Sequence, residues 1–166
     1  DPTNITIISP SILPAPNNNQ LNANVPNVGD PPFAIFFNDD PTNNFIIDNT
    51  VLNAATSNII LQARNDINVN ASVNVAAANI SFTAQAGNNI NVNQNIQTNR
   101  GVIALLANDG VTATGTGSVI FAGNNITTNG GNFTASGFGL SRTGSISIDT
   151  SSTTGGESGS VDGHVT

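Results

Sequence analysis

The chain has 166 residues, carries 10 acidic against 3 basic side chains for a net charge of −7, and contains no Cys, Met, Trp or Tyr. That balance excludes the basic footprint that nucleic acid or an anionic membrane surface requires, and without thiols there is neither a disulfide framework nor a Cys-based metal site. The longest wholly apolar run, residues 102–107, has six residues, well short of the about 20 that span a bilayer as a helix, so the chain is read as not transmembrane.

Asn occupies 29 of the 166 positions. Its side chain caps turns and tolerates left-handed backbone, while it is poor in helix and strand interiors, so a chain this rich in Asn must turn often. All eight Pro lie at or before Pro41, and only Gly29 of the sixteen Gly precedes Gly87. The boundary divides the chain into a Pro/Asn-rich opening segment (1–44), a repetitive body (45–148) and a Ser/Thr/Gly-rich stretch (149–166), read as a last coil or a linker. The chain begins at Asp1 without Met or a signal peptide, so the expectation is an excised or mature fragment.

In chain order, residues 4–8 read as a short strand. Pro14, Pro16, Pro26, Pro31 and Pro32 then forbid a regular ladder, because each removes a donor and restricts its neighbour. The apolar knot Phe33-Ala34-Ile35-Phe36-Phe37 reads as a strand or plug over a sheet edge, the alternative being an exposed sticky patch. Strands are expected at Phe45-Ile46-Ile47 and Asn58-Ile59-Ile60-Leu61, with a short helical turn at 50–55 as a further reading between them. From Ile67, strict alternation puts Ile67, Val69, Ala71, Val73 and Val75 on one face, the period of a half-buried strand. The parity then flips, so that Ile80, Phe82, Ala84 and Ala86, and next Ile90 and Val92, face inward. A parity switch at each bend is what a chain winding around one core produces. Residues 102–107, Val111 with Ala113, residues 119–122, Ile126, Phe133 with Ala135, and Ile146 with Ile148 continue the series. A hairpin at Asn129-Gly130 is the competing reading of that dipeptide.

The body repeats. Residues 63–70 read Ala-Arg-Asn-Asp-Ile-Asn-Val-Asn and residues 86–93 read Ala-Gly-Asn-Asn-Ile-Asn-Val-Asn, identical at six of eight positions. The corner, two Asx-type residues followed by a β-branched one or Gly, falls at Asn65-Asp66, Asn88-Asn89, Asn108-Asp109 and Asn124-Asn125. Steps of 23, 20 and 16 residues match one coil of a solenoid. The expected fold is all-β, a parallel β-solenoid (β-helix) with coils of about 16–23 residues. The corners Asp66, Asn89, Asp109 and Asn125 are expected to stack in one column as a side-chain ladder that satisfies buried backbone groups.

The phrases Asp-Pro-Thr-Asn-Ile-Thr-Ile (1–7), Thr-Val-Leu-Asn-Ala-Ala-Thr (50–56) and Asn-Asp-Ile-Asn-Val-Asn-Ala (65–71) resemble the passenger repeats of filamentous-haemagglutinin-type exoproteins, the secreted partners of bacterial two-partner secretion. The resemblance covers the texture of residues 1–148. It implies a right-handed parallel β-helix, export through a dedicated outer-membrane transporter, and deposition outside the cell or on its outer surface as an adhesin. The family's secretion domain carries an Asn-Pro-Asn-Gly-type motif that this chain lacks, so the chain resembles a segment downstream of it, and no family functional residue carries over.

Residues that carry chemistry are few. Asp66 and Asp109 suggest the carboxylate cleft of a polysaccharide-active β-helix, but two acids separated by an amide-bearing coil make a poor acid/base pair. Arg64, Arg100, Arg142 and His164 are the only basic side chains or imidazoles, and no Ser/His/Asp order is recognisable. Asp39-Asp40 with Asp48 offer oxygens to calcium, yet the Gly-Gly-x-Gly-x-Asp repeat of calcium-binding β-rolls is absent. Asn-x-Ser/Thr triplets occur at Asn4, Asn70, Asn79, Asn125 and Asn132, cheaply in such a composition, and Thr112, Thr114 and Thr116 make too short a flat threonine strip to form a face. The expectation is a structural or adhesive module, not an enzyme, with no cofactor or metal, an unidentified receptor or glycan, and end-to-end self-association. The alternatives are a self-assembling extracellular fibre and a polysaccharide-active enzyme.

Overall fold

The computed structural model describes residues 2–10, 21, 31–37, 39, 43–110 and 113–152. Its regular structure is almost entirely short strands. The opening segment supplies β1 (Ile5–Ile8) and β2 (Ala34–Ile35), followed by β3 (Phe45–Asp48) and a five-residue helix, α1 (Asn49–Asn53). Then come β4 (Ile59–Ala63), β5 (Ile67–Val69), β6 (Val73–Ala78), β7 (Phe82–Ala86), β8 (Ile90–Val92) and β9 (Ile96–Asn99). The last six are β10 (Ile103–Ala107), β11 (Ser118–Phe121), β12 (Asn125–Thr127), β13 (Phe133–Ser136), β14 (Gly139–Arg142) and β15 (Ser147–Asp149).

These strands form three sheets. Sheet A has the order β14-β11-β8-β5-β1-β3, sheet B β13-β10-β7-β4-β2, and sheet C β15-β12-β9-β6. Every pairing is parallel. From β4 onward the chain visits B, A and C in fixed rotation, so each strand from β7 on stacks on the one three strands earlier.

Period-two patterning explains the core. Ile5, Ile67, Ile90 and Val119 share one inward column of sheet A, Ile59, Phe82, Ile103 and Phe133 one of sheet B, and Val73, Ile96 and Ile126 one of sheet C. All are buried to within 2%, and each such side chain contributes about 1.5–3 kcal/mol relative to an exposed one. The alternation over 67–75 holds, but the run is two strands in two sheets: Ala71, still inward and 6% exposed, lies at the bend between β5 and β6. Asn129-Gly130 is a coil corner and not a hairpin, because β12 pairs in parallel with β9 and β15.

The coil length also departs from expectation. Ile67 pairs with Ile90, a step of 23, but Ile90 pairs with Val119, a step of 29. Ile96 pairs with Ile126, a step of 30. Residues 108–117 lengthen that coil, and no 16-residue coil exists among the described residues.

The two ends of the stack differ. β1 is wedged between β3 and β5, although it precedes both in the chain. α1 takes the place of a strand below β6: Asn53 Oδ1 accepts the Asn74 N–H at 2.7 Å, and Asn49 Nδ2 donates to the Ser72 carbonyl at 2.7 Å. Asp48 starts this helix as its N-cap, accepting from the Thr50 N–H at 2.8 Å. Leu52, Phe45, Ile47 and Ile35 are at most 1% exposed, so this end of the core is sealed. The knot at 33–37 therefore acts as a covering strand, with Ala34 and Ile35 fully buried. At the other end Leu140 holds the inward register of Val119 yet is 61% exposed.

Candidate functional site

The corners carry the most organised polar chemistry of the molecule. Asp66 Oδ1 accepts from the Asn89 N–H at 2.9 Å and from Asn88 Nδ2 at 2.8 Å. One level down, Asn4 Oδ1 accepts from the Asp66 N–H at 3.1 Å and from Asn65 Nδ2 at 3.0 Å. One level up, Asn89 Oδ1 accepts from the Ser118 N–H at 3.0 Å. The same device recurs as Asn53 to Asn74, Asn58 to Ser81 and Asn95 to Asn125. In all six cases the Asx oxygen belongs to the earlier stretch and the N–H to the stretch stacked on it. A parallel bend leaves this N–H without a ladder partner, and a short side chain with an acceptor supplies one.

Not all of the expected ladder residues share one column. Asn65, Asp66, Asn88 and Asn89 do. Asn108 only touches it, its N–H donating to the Asn88 carbonyl at 3.0 Å. Its Oδ1 turns to the Gly115 N–H at 2.6 Å, inside the 108–117 loop. Asp109 joins a glutamine ladder on sheet B, accepting from Gln85 Nε2 at 3.0 Å, while Gln62 Nε2 donates to Gln85 Oε1. Asn124 and Asn125 sit at a different corner: the Asn125 N–H donates to Asn95 Oδ1 at 2.8 Å and Asn124 Nδ2 to the Gln94 carbonyl at 3.2 Å. The physical reason is that any of the three bends per coil favours the same residue types. Asn124 is 5% exposed, and its Oδ1 is buried without a partner.

Outside the corners, Asn91 Nδ2 donates to Asn68 Oδ1 at 2.9 Å and Asn93 Nδ2 to Asn70 Oδ1 at 2.8 Å, two amide stacks on the outer surface. Two interior threonines were not anticipated. Thr98 and Thr128 follow Val75 at the same register, and their hydroxyls donate to the carbonyls of Gly101 and Gly131. The Thr-Asn-x-Gly spelling of both bends (98–101 and 128–131) was the available signal.

Among the described residues, two depressions on the surface bear on function. One, of about 450 Å³, lies on sheet A and its bend and is lined by Asn4, Thr6, Ile8, Asn44, Ile46, Asn65, Asp66 and Asn68. The other, of about 250 Å³, is the uncovered end of the core, lined chiefly by Phe121, Phe133, Leu140, Arg142, Ile146 and Ile148.

Comparison with protein-family models, curated proteins and solved structures finds no match. The site must therefore be read from its own chemistry.

Asp39 Oδ2 accepts from the Phe36 N–H at 2.7 Å, and Asp48 is the helix cap, so these two carboxylates have local partners; Asp40 lies outside the described residues. No group of three His, Asp or Glu side chains gathers among the described residues. Asp66 and Asp109 lie in separate ladders. Arg142 Nη1 donates to the Gly144 carbonyl at 2.8 Å. Thr114 donates to Asn88 Oδ1 at 3.1 Å, and Thr112 and His164 lie outside the described residues.

Proposed function

We propose that this chain is a right-handed parallel β-solenoid serving as a rigid, adhesive stalk module of an exported bacterial surface protein. The observation that carries this reading is the fixed B, A, C rotation of the chain through three parallel sheets, with amide ladders at the bends. A strand-to-parallel-strand crossover is right-handed in almost all known cases. A stack of this kind gives each coil contacts only to its neighbours, which makes a rod of extendable length. The resemblance of residues 1–7, 50–56 and 65–71 to haemagglutinin-type passenger repeats supports export through an outer-membrane transporter and display outside the cell. The test is immunolabelling of intact producing cells with antibody to the rod. Labelling that disappears when the transporter is deleted is the expected result; labelling only after permeabilisation would overturn the reading.

A second reading is association through the carboxyl-terminal end, as in an extracellular fibre. Specific observations favour it: Leu140 and Phe138 are 61% and 72% exposed there, beside the apolar depression, and β13, β14 and β15 each end their sheet. Open sheet edges pair with other chains unless blocked. Concentration-dependent light scattering tests it, with a strict monomer at high concentration as the contrary outcome.

A further inference from the structure

We propose that the groove on sheet A binds a neutral polysaccharide, through Asn68, Thr6 and Asn65 at its polar wall and Ile46 and Ile8 at its apolar one; this deepens the adhesive reading above and rests on it.

The outward column of sheet A runs Ile46, Thr6, Asn68, Asn91. Asn68 and Asn91 are joined by their amides, but the stack stops there. Below Asn68 stands Thr6, and the Asn68 Nδ2 donors have no partner among the described residues. The Thr6 hydroxyl and the Asn65 Oδ1 acceptor are likewise unused, since Asn65 engages only through Nδ2. All three residues line the same depression of about 450 Å³. A donor pair, a hydroxyl that both donates and accepts, and a free acceptor are therefore presented together on a rigid sheet.

The charge of the lining selects the ligand class. Among the described residues Asp66 is its one carboxylate, and no Arg, Lys or His lines it. Sulfated or uronic polysaccharides would meet like charge and no counter-charge. A sugar ring, by contrast, has hydroxyls around its edge and C–H groups on its faces. The edge matches Asn68, Thr6 and Asn65, and a face matches Ile46, with the buried Ile8 behind it. The depression is open to solvent, which suits a segment within a long polymer. Among the described residues no aromatic side chain lines it, so single-site affinity is low and useful holding comes from several modules or several sites on one polymer.

The test titrates cellohexaose, maltohexaose and chitohexaose into the isotopically labelled chain and follows backbone and side-chain amide signals. Heparin and polygalacturonate serve as anionic probes. Shifts confined to Thr6, Asn65, Asn68 and their neighbours are expected with at least one neutral hexasaccharide and with neither anion. Asn68→Ala and Thr6→Val should each weaken that binding by about fivefold or more, the loss of one hydrogen bond, with circular dichroism unchanged. Asn91→Ala, which breaks the amide stack but spares the Asn68 donors, should leave it within about twofold. No shift with any neutral probe, shifts with the anions alone, or binding insensitive to Asn68→Ala and Thr6→Val would each overturn the proposal. Surface labelling of intact cells, measured separately on the Asn68→Ala protein, tells failure of the groove from failure of the stalk reading: a groove without ligand leaves that labelling unaltered.

Discussion

The backbone N–H of Asn89 donates to Asp66 Oδ1 at 2.9 Å across two stacked stretches 23 residues apart. The same oxygen takes a second bond from Asn88 Nδ2, and Asn65 Nδ2 approaches the other carboxylate oxygen at 3.4 Å. Asp66 is thus the hub of its ladder and Asn89 a single rung. Asp66→Ala should lower stability by about 2–3 kcal/mol and Asn89→Ala by about 1 kcal/mol, because a half-buried N–H left unpaired costs more where several bonds converge. Asp66→Asn keeps an acceptor at the same place and should retain most of the stability. Urea denaturation of the three variants checks the ranking; equal values for all three would disprove the hub.

The bends from sheet C to sheet B bring backbone against backbone. A Cβ on Gly101 would lie 1.8 Å from the Ile80 carbonyl oxygen, and one on Gly131 2.2 Å from that of Gly101. Neither backbone atom can rotate away, so Gly101→Ala and Gly131→Ala should each cost about 3 kcal/mol or more through forced backbone shifts. Gly115→Ala meets no atom within 4 Å and carries only the strain of φ +81°, about 1–2 kcal/mol. Thermal melting of the set should show this order.

Leucine at one kind of register has opposite value at two heights. Leu105 is fully buried, and its replacement by Ala should cost about 2–5 kcal/mol. Leu140 faces inward but is 61% exposed, so Leu140→Ala should change stability by less than about 1 kcal/mol. Leu140→Ser should also reduce association at high concentration, measured by light scattering. Equal losses at 105 and 140 would mean that the carboxyl-terminal end is covered.

Asp149 accepts from both the hydroxyl and the N–H of Ser151, the hydroxyl first in effect, and these bonds hold its carboxyl below the ordinary aspartate range. A depressed folded-state pKa stabilises the fold above the unfolded-state value, and that contribution is lost as pH falls through the folded one. Ser151→Ala should raise the Asp149 titration toward the ordinary value in carboxyl-carbon NMR. Because the carboxylate lies in solvent, the acid limb of the melting curve should hardly move.

The parallel strands and the core were legible because alternation at 67–75 and 82–86 is strict and the repeat at 63–70 and 86–93 is nearly verbatim. The helix at Asn49–Asn53 was half legible: Asp48 is a good cap, but Thr50 and Val51 argue for strand. The placement of Asn124-Asn125 was not legible. Sequence spacing measures distance along the chain, whereas the column is set by which of three bends a corner occupies, and the loop at 108–117 shifts the count. The groove was invisible for a different reason. Thr6 and Asn68 meet because β1 wedges beside β5, a contact between residues 62 apart that no local pattern announces.

The one-way sense of the corner bonds has a consequence for how such a rod is made. At Asn4, Asn53, Asn58, Asp66, Asn89 and Asn95 the acceptor is the older part of the chain and the N–H the newer. A polypeptide delivered amino end first finds, at each of these bends, a receptor already set in place by what has gone before, starting from an end already closed by α1. Some backbone bonds at the same bends run the other way, as from the Ile67 N–H to the Asn89 carbonyl, so only the side-chain bonds of the corners have a grain.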